Sequence, residues 1–350
     1  MNLALTQARI SRLFGRPQAT VRDVSQKEWV LHSATVATVP PAIFAESDLQ
    51  RVTSVMEETT LDWELRRIRG GHRDHAATTA FEISNVELRD GIVFKGPWVY
   101  RLLRSRAKSP SATPVITVPD AVIGCTLLGS IYFAHWITDD LTLELAAEQL
   151  GIPVGVARKP YRQEPDYRRL FDTPSSVFQR ARFPRFTMLV DFGQNKYKEE
   201  RYRSLRQRLR AACPSCGANP RIYLRRGTRG APRTLVNTAE VETFLTSQGF
   251  VLIDPDQNSP AEIAQIANGA KIAISIEGSH MVHGLVNIAD GGTILQIQPP
   301  DRFNNVFKDY TDCLGMHYGF TVGLPTEGGF HLPIEDLRRF LDHVDSAVHI

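Results

Sequence analysis

The chain has 350 residues, 42% hydrophobic and 23% charged, with 24 Gly, 21 Pro, four Cys and a net charge of +3. That composition is globular and excludes collagen-like, disordered and disulfide-scaffold proteins, while the length suits two domains, each with its own core. The small net charge hides an asymmetry: Arg158 to Arg233 holds 20 Lys and Arg against 6 Asp and Glu, and 234–301 holds 8 acids with the single base Lys271.

Taken in chain order, the start MNLALTQARISRLFGRPQAT lacks the apolar core of a signal peptide. Arg9, Arg12 and Arg16 beside Leu13 and Phe14 would suit peripheral membrane docking. Phe81–Leu88 alternates apolar and polar residues, and Asp90-Gly91 then turns into Ile92–Phe94, which predicts a hairpin. The longest uncharged run, Ala121–Thr138, is interrupted by Gly124, Gly129, Ser130 and His135 and flanked by Asp120, Asp139 and Asp140. It therefore reads as a buried strand, a glycine turn and the start of a helix, and a soluble, cytoplasmic chain is expected. The helix runs from Ala134 to Leu150 and ends at Gly151, with Val154–Ala157 and Phe186–Val190 as later strands. Lys196–Arg210 carries Tyr202, Leu205 and Leu209 on one face, so its charges suit either a solvated helix or an anionic partner. No nucleic-acid motif accompanies them, and no nucleic acid is expected. Cys213-Pro-Ser-Cys216 is half a zinc knuckle with no second pair at finger spacing, which favours reduced thiols.

From Arg221 the pattern is regular. Ile222–Leu224 is a strand; Asn237 to Glu240 predicts a capping box, followed by a helix with Val241, Phe244 and Leu245 inward and Gly249 at its end. Phe250–Ile253 is a strand, and Ser259-Pro-Ala-Glu262 is a second capping box before Ile263, Ile266 and Ala267. Ile272–Ile276 and Thr293–Ile297 are strands flanking a Gly278–His280 turn and a helix over Met281–Ala289. This alternation predicts a parallel α/β sheet, Rossmann-like, with a final helix over Ile334–Val348.

Four segments are candidates for chemistry. Glu277-Gly278-Ser279-His280, with His283 one turn on, would lie at the carboxyl edge of the sheet, where free N–H groups and a helix start favour phosphate; a packed glycine turn is the alternative. Arg225, Arg226 and Arg229 stand among glycines just after a strand and would clamp a diphosphate, or be solvated loop charge. Asp254-Pro-Asp256 has the form of a DxD metal site, yet turn residues before a helix explain it without a metal, and none is assigned. His135 and Asp139 lie four apart on one helix face, so a carboxylate would orient an imidazole, or either would act as a base, or the pair is structural. Neither GxGxxG nor GxxxxGK[ST] is present, and no cofactor is expected.

In order and spacing these segments resemble glycosyltransferase family 61, the capsular polysaccharide biosynthesis type. IYFAHWITDDLTLEL is similar to the family's aromatic-His-Trp helix, and the stretch from RIYLRRGTRG to KIAIS is similar to its run of strand, Arg pair and "G-F" strand. EGSHMVHGLVNIADGGTILQIQPP stands where the family usually carries its His-Gly-Ala signature; here two histidines, His280 and His283, compete for that place, and Gln296 and Gln298 replace a usual glutamate. The resemblance implies a GT-B architecture, two Rossmann-like domains facing across a cleft. It assigns 1–185 to an acceptor-side domain, 186–333 to a donor domain and 334–350 to a helix crossing back. It further implies inverting transfer without an obligatory metal, from a UDP-sugar or other nucleotide sugar to a glycan or lipid-linked glycan, in the synthesis of bacterial capsule or lipopolysaccharide. Arg225, Arg226, Arg229, Glu277, Gly278, Ser279, His280 and His283 would then bind donor, and Asp139 and His135 would be catalytic, Asp139 as the base. Another GT-B enzyme, such as an exopolysaccharide pyruvyl transferase, and a non-catalytic polyanion-binding protein are the other readings.

Overall fold

The computed structural model describes residues 19–104, 113–174, 176–215, 217, 220–227 and 230–348. Cys216, Arg229 and the basic N-terminal segment proposed for membrane docking lie outside them. The described residues contain no helix long and apolar enough to cross a membrane. By packing, the chain divides into two units: Met1–Thr35 with His75–Arg201, and Val36–Asp74 with Tyr202–Ile350. The boundary expected at 185/186 falls inside the strand Arg180–Val190, and the packing division falls within the helix Lys196–Ala212.

In the first unit a mixed sheet runs Ser176–Phe178, Ile152–Val156, Asp120–Ile123, Arg180–Val190, Thr78–Arg89, Ile92–Lys95, Trp98–Arg101. The first four strands are parallel; Thr78–Arg89 then lies antiparallel to Arg180–Val190, and Lys27–His32 also pairs with it. The sheet is thus Rossmann-like in only one half, which differs from the expected parallel domain. The predicted hairpin supplies the reason, because a two-residue turn joins only antiparallel strands. Arg89 faces Ile92 across it, and Asp90 and Gly91 have φ of 53° and 76°, as a type I′ turn requires. The segment expected as a short strand, Phe186–Val190, is the end of the central strand, with Phe183, Phe186 and Leu189 buried.

The uncharged run resolves into the strand Asp120–Ile123, the short helix Leu127–Ile131 and a longer helix that begins at Phe133 and reaches Ala147. Its middle, Trp136–Leu141, is a π-helix. Thr138 and Thr142 donate their hydroxyls back to the carbonyls of Ala134 and Thr138, at 3.1 and 2.7 Å, competition that loosens a helical turn. Asp140 accepts from the N–H and hydroxyl of Thr126, both at 2.8 Å, and so fixes the turn before the helix. Gly129 permits this: a Cβ there would lie 2.1 Å from the Asp140 carboxylate.

In the second unit five parallel strands run Phe250–Ile253, Arg221–Leu224, Ile272–Ile276, Thr293–Gln298, His317–Val322. The middle strands are buried throughout, as expected of a sheet covered on both faces. Ser259 and Glu262 form the predicted capping box reciprocally. Asn237 does not cap its helix: its side chain pairs instead with the backbone of Leu332, donating at 2.9 Å and accepting at 3.1 Å, so tertiary pairing displaces the local cap. The final helix, Ile334–Val348, buries Leu337, Phe340, Leu341 and Val344 in this unit's core. The segment 36–74 also belongs here. Its fully buried Glu64 accepts from the backbone N–H of Asn305 at 2.7 Å, a partnership between residues 241 apart in sequence.

Candidate functional site

Strand order in the second unit reverses between Arg221–Leu224 and Ile272–Ile276, with the Phe250–Ile253 neighbour on one side and the later strands on the other. Ligands of open α/β sheets bind outside the carboxyl ends at such a switch point. The two strands run out there into Arg225-Arg226-Gly227 and Glu277-Gly278-Ser279-His280. Both predicted anion loops therefore flank the point where the fold itself opens a crevice.

Successive residues leaving a strand point to opposite sides, and this separates the two arginines. Arg225 turns to the helix Thr238–Ser247 and forms a two-pronged pair with Glu242 at 2.8 and 2.7 Å. Arg226 turns inward and donates to the carbonyls of Glu277 and Ala231 at 3.1 and 2.7 Å. Gly278, with φ 152°, makes the approach possible, since a Cβ there would lie 2.1 Å from Arg226 Nη1. Two further arginines, absent from the sequence-based set, join it. Arg233 shares the Ala231 carbonyl at 2.9 Å and ion-pairs with Glu277, and Arg302 lies 3.9 Å from the same carboxylate. Asn304 donates to the other oxygen of Glu277 at 3.1 Å.

Two guanidiniums thus face the Glu277 carboxylate, and a third, Arg226, is held on the Glu277 backbone carbonyl beside them. Burial and then the neighbouring Arg233 and Arg302 charges pull Arg226 down to about 10, and burial with Arg302 lowers Arg233 as well. The cluster carries more positive charge than Glu277 neutralises, which is the electrostatic signature of an anion site. Replacing Arg302, whose side chain is 25% exposed and least tied into the network, is expected to weaken binding of a nucleoside diphosphate about tenfold. Titration of Arg302→Ala with UDP, against the unaltered protein, checks this.

The histidine loop does different work from that expected of a phosphate donor. Ser275 Oγ donates to the Leu224 carbonyl at 2.6 Å, so it accepts from His280 Nε2–H, and this hydrogen bond cross-links the two central strands. Burial, and then Arg226, His283 and Arg233, hold the His280 imidazole well below its ordinary value, leaving it neutral with its single N–H engaged. Ser279 is half-buried, and His283 is buried inside a helix, Val282–Asn287, of only six residues. So short a helix contributes little dipole, and the arginines dominate the local field. Asp254-Pro-Asp256 is a turn: Asp256 N–H donates to Asp254 Oδ1 at 2.8 Å and Asp254 N–H to Asn258 at 3.2 Å. Among the described residues, no group of three or more His, Cys, Asp or Glu is arranged to hold a metal ion.

The first unit has its own switch point, between Asp120–Ile123 and Arg180–Val190. The helix that follows the first strand brings His135, and the second strand ends at Asp191. His135 Nδ1 lies 2.6 Å from Asp139 Oδ2, and the other oxygen of Asp139 lies 3.6 Å from Lys198 Nζ. Lys198, 2% exposed, also donates to the Asp191 carbonyl at 2.8 Å, and Asp191 is clamped by both Nη atoms of Arg201 at 2.9 Å and by the Thr78 hydroxyl at 2.7 Å. Burial opposes the charge on Asp139, but Lys198 and the His135 hydrogen bond together hold its carboxyl below the ordinary range. An ionised Asp139 accepts from Nδ1–H, which fixes the tautomer and leaves Nε2 as the unprotonated ring nitrogen. The predicted pair is thus assembled in one of the arrangements its spacing left open, a carboxylate that orients an imidazole. Lys198 and Arg201 lay hidden in a basic helix whose pattern reads as solvated.

Beside this pair, on the same helix, Glu144 accepts from Arg168 at 2.9 and 3.1 Å, and burial raises its carboxyl to about 7. Protonation at Glu144 accordingly stabilises the fold below about pH 4.5, and that contribution is lost as pH rises through about 7. Glu144→Gln is expected to flatten the melting-temperature profile between pH 5 and 7; an unchanged slope would locate the titration elsewhere.

These features define an α/β chain with an arginine-rich cluster on one unit and an oriented imidazole on the other. Residues 133–295 match the family model of Glycosyltransferase 61, a stretch that begins two residues before His135 and ends inside the strand Thr293–Gln298. Through that stretch the chain is similar to glycosyltransferase family 61, a likeness that supports a transferase with a donor and an acceptor substrate. No curated protein matches it.

Proposed function

We propose that this chain is an inverting, metal-independent glycosyltransferase of GT-B type that moves a sugar from a nucleotide donor, UDP-linked, to a glycan acceptor of a bacterial surface polysaccharide. The observation that carries this reading is the cluster of Arg226, Arg233 and Arg302 around Glu277 at the switch point of a parallel sheet. A diphosphate there would receive charge-assisted hydrogen bonds from groups already held in place. In the reaction, an acceptor hydroxyl oxygen forms the new bond to the anomeric carbon as the bond to the diphosphate oxygen breaks. The hydroxyl proton passes to His135 Nε2, and Asp139 supports the imidazolium that forms. The leaving diphosphate takes up the electron pair of the broken bond, and the guanidiniums stabilise its charge. Cationic side chains would here do the work that a divalent metal does elsewhere, and that is the basis for assigning no metal.

A thermal-shift screen against UDP-, GDP-, CMP- and dTDP-sugars, with and without EDTA, tests the reading. A stabilising shift with one nucleotide class, unaffected by EDTA, is expected. Absence of both shift and turnover across the panel would remove the proposal, and a shift abolished by EDTA would remove its metal-independent part.

A further inference from the structure

Next to the His135–Asp139 pair, and wholly within the first unit, lies a pocket of about 270 Å³. It opens at the carboxyl ends of the strands Asp120–Ile123 and Ile152–Val156, beyond which Cys125 and Arg158 form part of its wall. The π-helical segment and the turn after it supply one side, with Trp136, Asp140 and Glu144; Arg158, Glu164 and Arg168 supply the other. Val177, half exposed on the edge strand, also lines it. We infer that this pocket binds one neutral, pyranose-sized polyol, the sugar unit of the acceptor. The inference rests on the glycosyltransferase reading for the word acceptor, but on the pocket's own chemistry for the ligand.

Three observations select that ligand. First, Trp136 is 1% exposed, and its indole Nε1–H has no hydrogen-bond partner among the described residues although the residue lines a cavity. A buried donor without an acceptor is a costly feature in a folded protein, and a ligand hydroxyl oxygen would satisfy it. Second, the charges of the wall are internally matched. Arg168 pairs with Glu144 at 2.9 Å and with Glu164 at 3.3 Å, and Arg158 pairs with Glu164 at 2.9 Å. Asp140 adds no charge, since burial pushes its carboxyl well above the ordinary range and keeps it protonated. Above about pH 7, where Glu144 is ionised, the pocket has no surplus cation to recruit a phosphate and no surplus anion to recruit an amine, unlike the arginine cluster of the second unit. Third, the volume is slightly below the ~300–1,000 Å³ of typical small-molecule sites, which suits a single ring and not a nucleotide.

The faces of the Trp136 ring are already used, with Arg168 5.3 Å from its centroid and Phe133 stacked at 5.9 Å. Recognition would therefore run through the indole edge, the Asp140 hydroxyl and the carboxylate oxygens, a mixture of donors and acceptors that matches the hydroxyls of a sugar. The pocket shares its helix with the proposed base, since His135 immediately precedes Trp136 in the chain.

The test uses the full chain with glucose, galactose, mannose, rhamnose and N-acetylglucosamine as neutral probes, and glucuronic acid and glucosamine as charged ones. Binding is read by saturation-transfer NMR and titration. At least one neutral sugar should bind. Trp136→Phe, which keeps the ring packing and removes the N–H, should weaken it about tenfold. Val177→Trp, on an exposed edge strand, should abolish it by filling the pocket. Both variants should retain the UDP affinity of the unaltered protein. No neutral sugar binding, binding only of a charged sugar, or unchanged affinity in both variants would overturn the inference. Sugar binding that obeys these expectations in a chain that binds no nucleotide would instead sustain the pocket and remove the glycosyltransferase reading.

Discussion

Replacing His135 with asparagine should lower kcat by about 10²–10⁴ while leaving donor affinity unchanged. Asparagine keeps an N–H where Nδ1 stands, and so retains the contact to Asp139, but it has no atom equivalent to Nε2. The loss then falls on proton transfer and not on folding or donor binding. Asp139→Asn should act in the same direction through a different cause. An amide no longer demands Nδ1–H, so the imidazole is free to take the tautomer whose Nε2 is already protonated. Measuring kcat and donor dissociation constants for both variants decides the assignment. If His135→Asn retains full kcat, or if Asp139→Asn loses donor affinity in preference to turnover, the imidazole is not the base. Asp139 must be ionised for either effect, and Lys198 favours that state from the far side of the carboxylate.

The largest expected loss of stability is at Asp191. Alanine there would leave Lys198 and Arg201, 2% and 4% exposed, without the carboxylate that faces both. Breaking a buried pair in this way costs about 3–5 kcal/mol, because the remaining charges stay desolvated. A urea midpoint displaced with unchanged slope is the expected readout. Burial opposes ionisation of Asp191, but Lys198 and Arg201 hold its carboxyl below the ordinary range. Its contribution is therefore present above the ordinary carboxylate range and lost as pH falls through the folded value, so the variant and the parent should converge in acid. A loss below about 1 kcal/mol at neutral pH would show that the network is solvated and not structural.

Much of the second unit was legible because its signals are local. A serine with a glutamate three residues on, a glycine after an apolar face and short strands at regular intervals act through neighbouring backbone groups, and they hold where no distant group competes for them. The Asn237 segment has nearly the same signature and fails, since the Leu332 backbone competes for the same side chain. Candidate chemistry was legible to the extent that it lies just beyond strand ends: Arg226, Glu277 and Gly278 meet as expected. By the same rule Arg302, four residues past the strand Thr293–Gln298, also stands just beyond a strand end. Arg233 does not, because it enters from the far end of its loop.

The sequence by itself determined the α/β class, the parallel order of elements in the second half, the hairpin at Asp90-Gly91 and the pairing of His135 with Asp139. All rest on separations of a few residues, where chain geometry leaves few alternatives. Only the tertiary structure decided that 36–74 packs with the second half, and that Lys198 and Arg201 are buried partners of acids in place of solvated helix charges. It alone distinguished Arg225, neutralised by Glu242, from Arg226, which is clustered with Arg233 and Arg302 around Glu277. The reason is physical: a basic residue reads the same in sequence whether water or a distant carboxylate surrounds it. The modest net charge of +3 therefore concealed both a fully matched buried network and an unmatched cluster, and only the unmatched one is fitted to hold an anion.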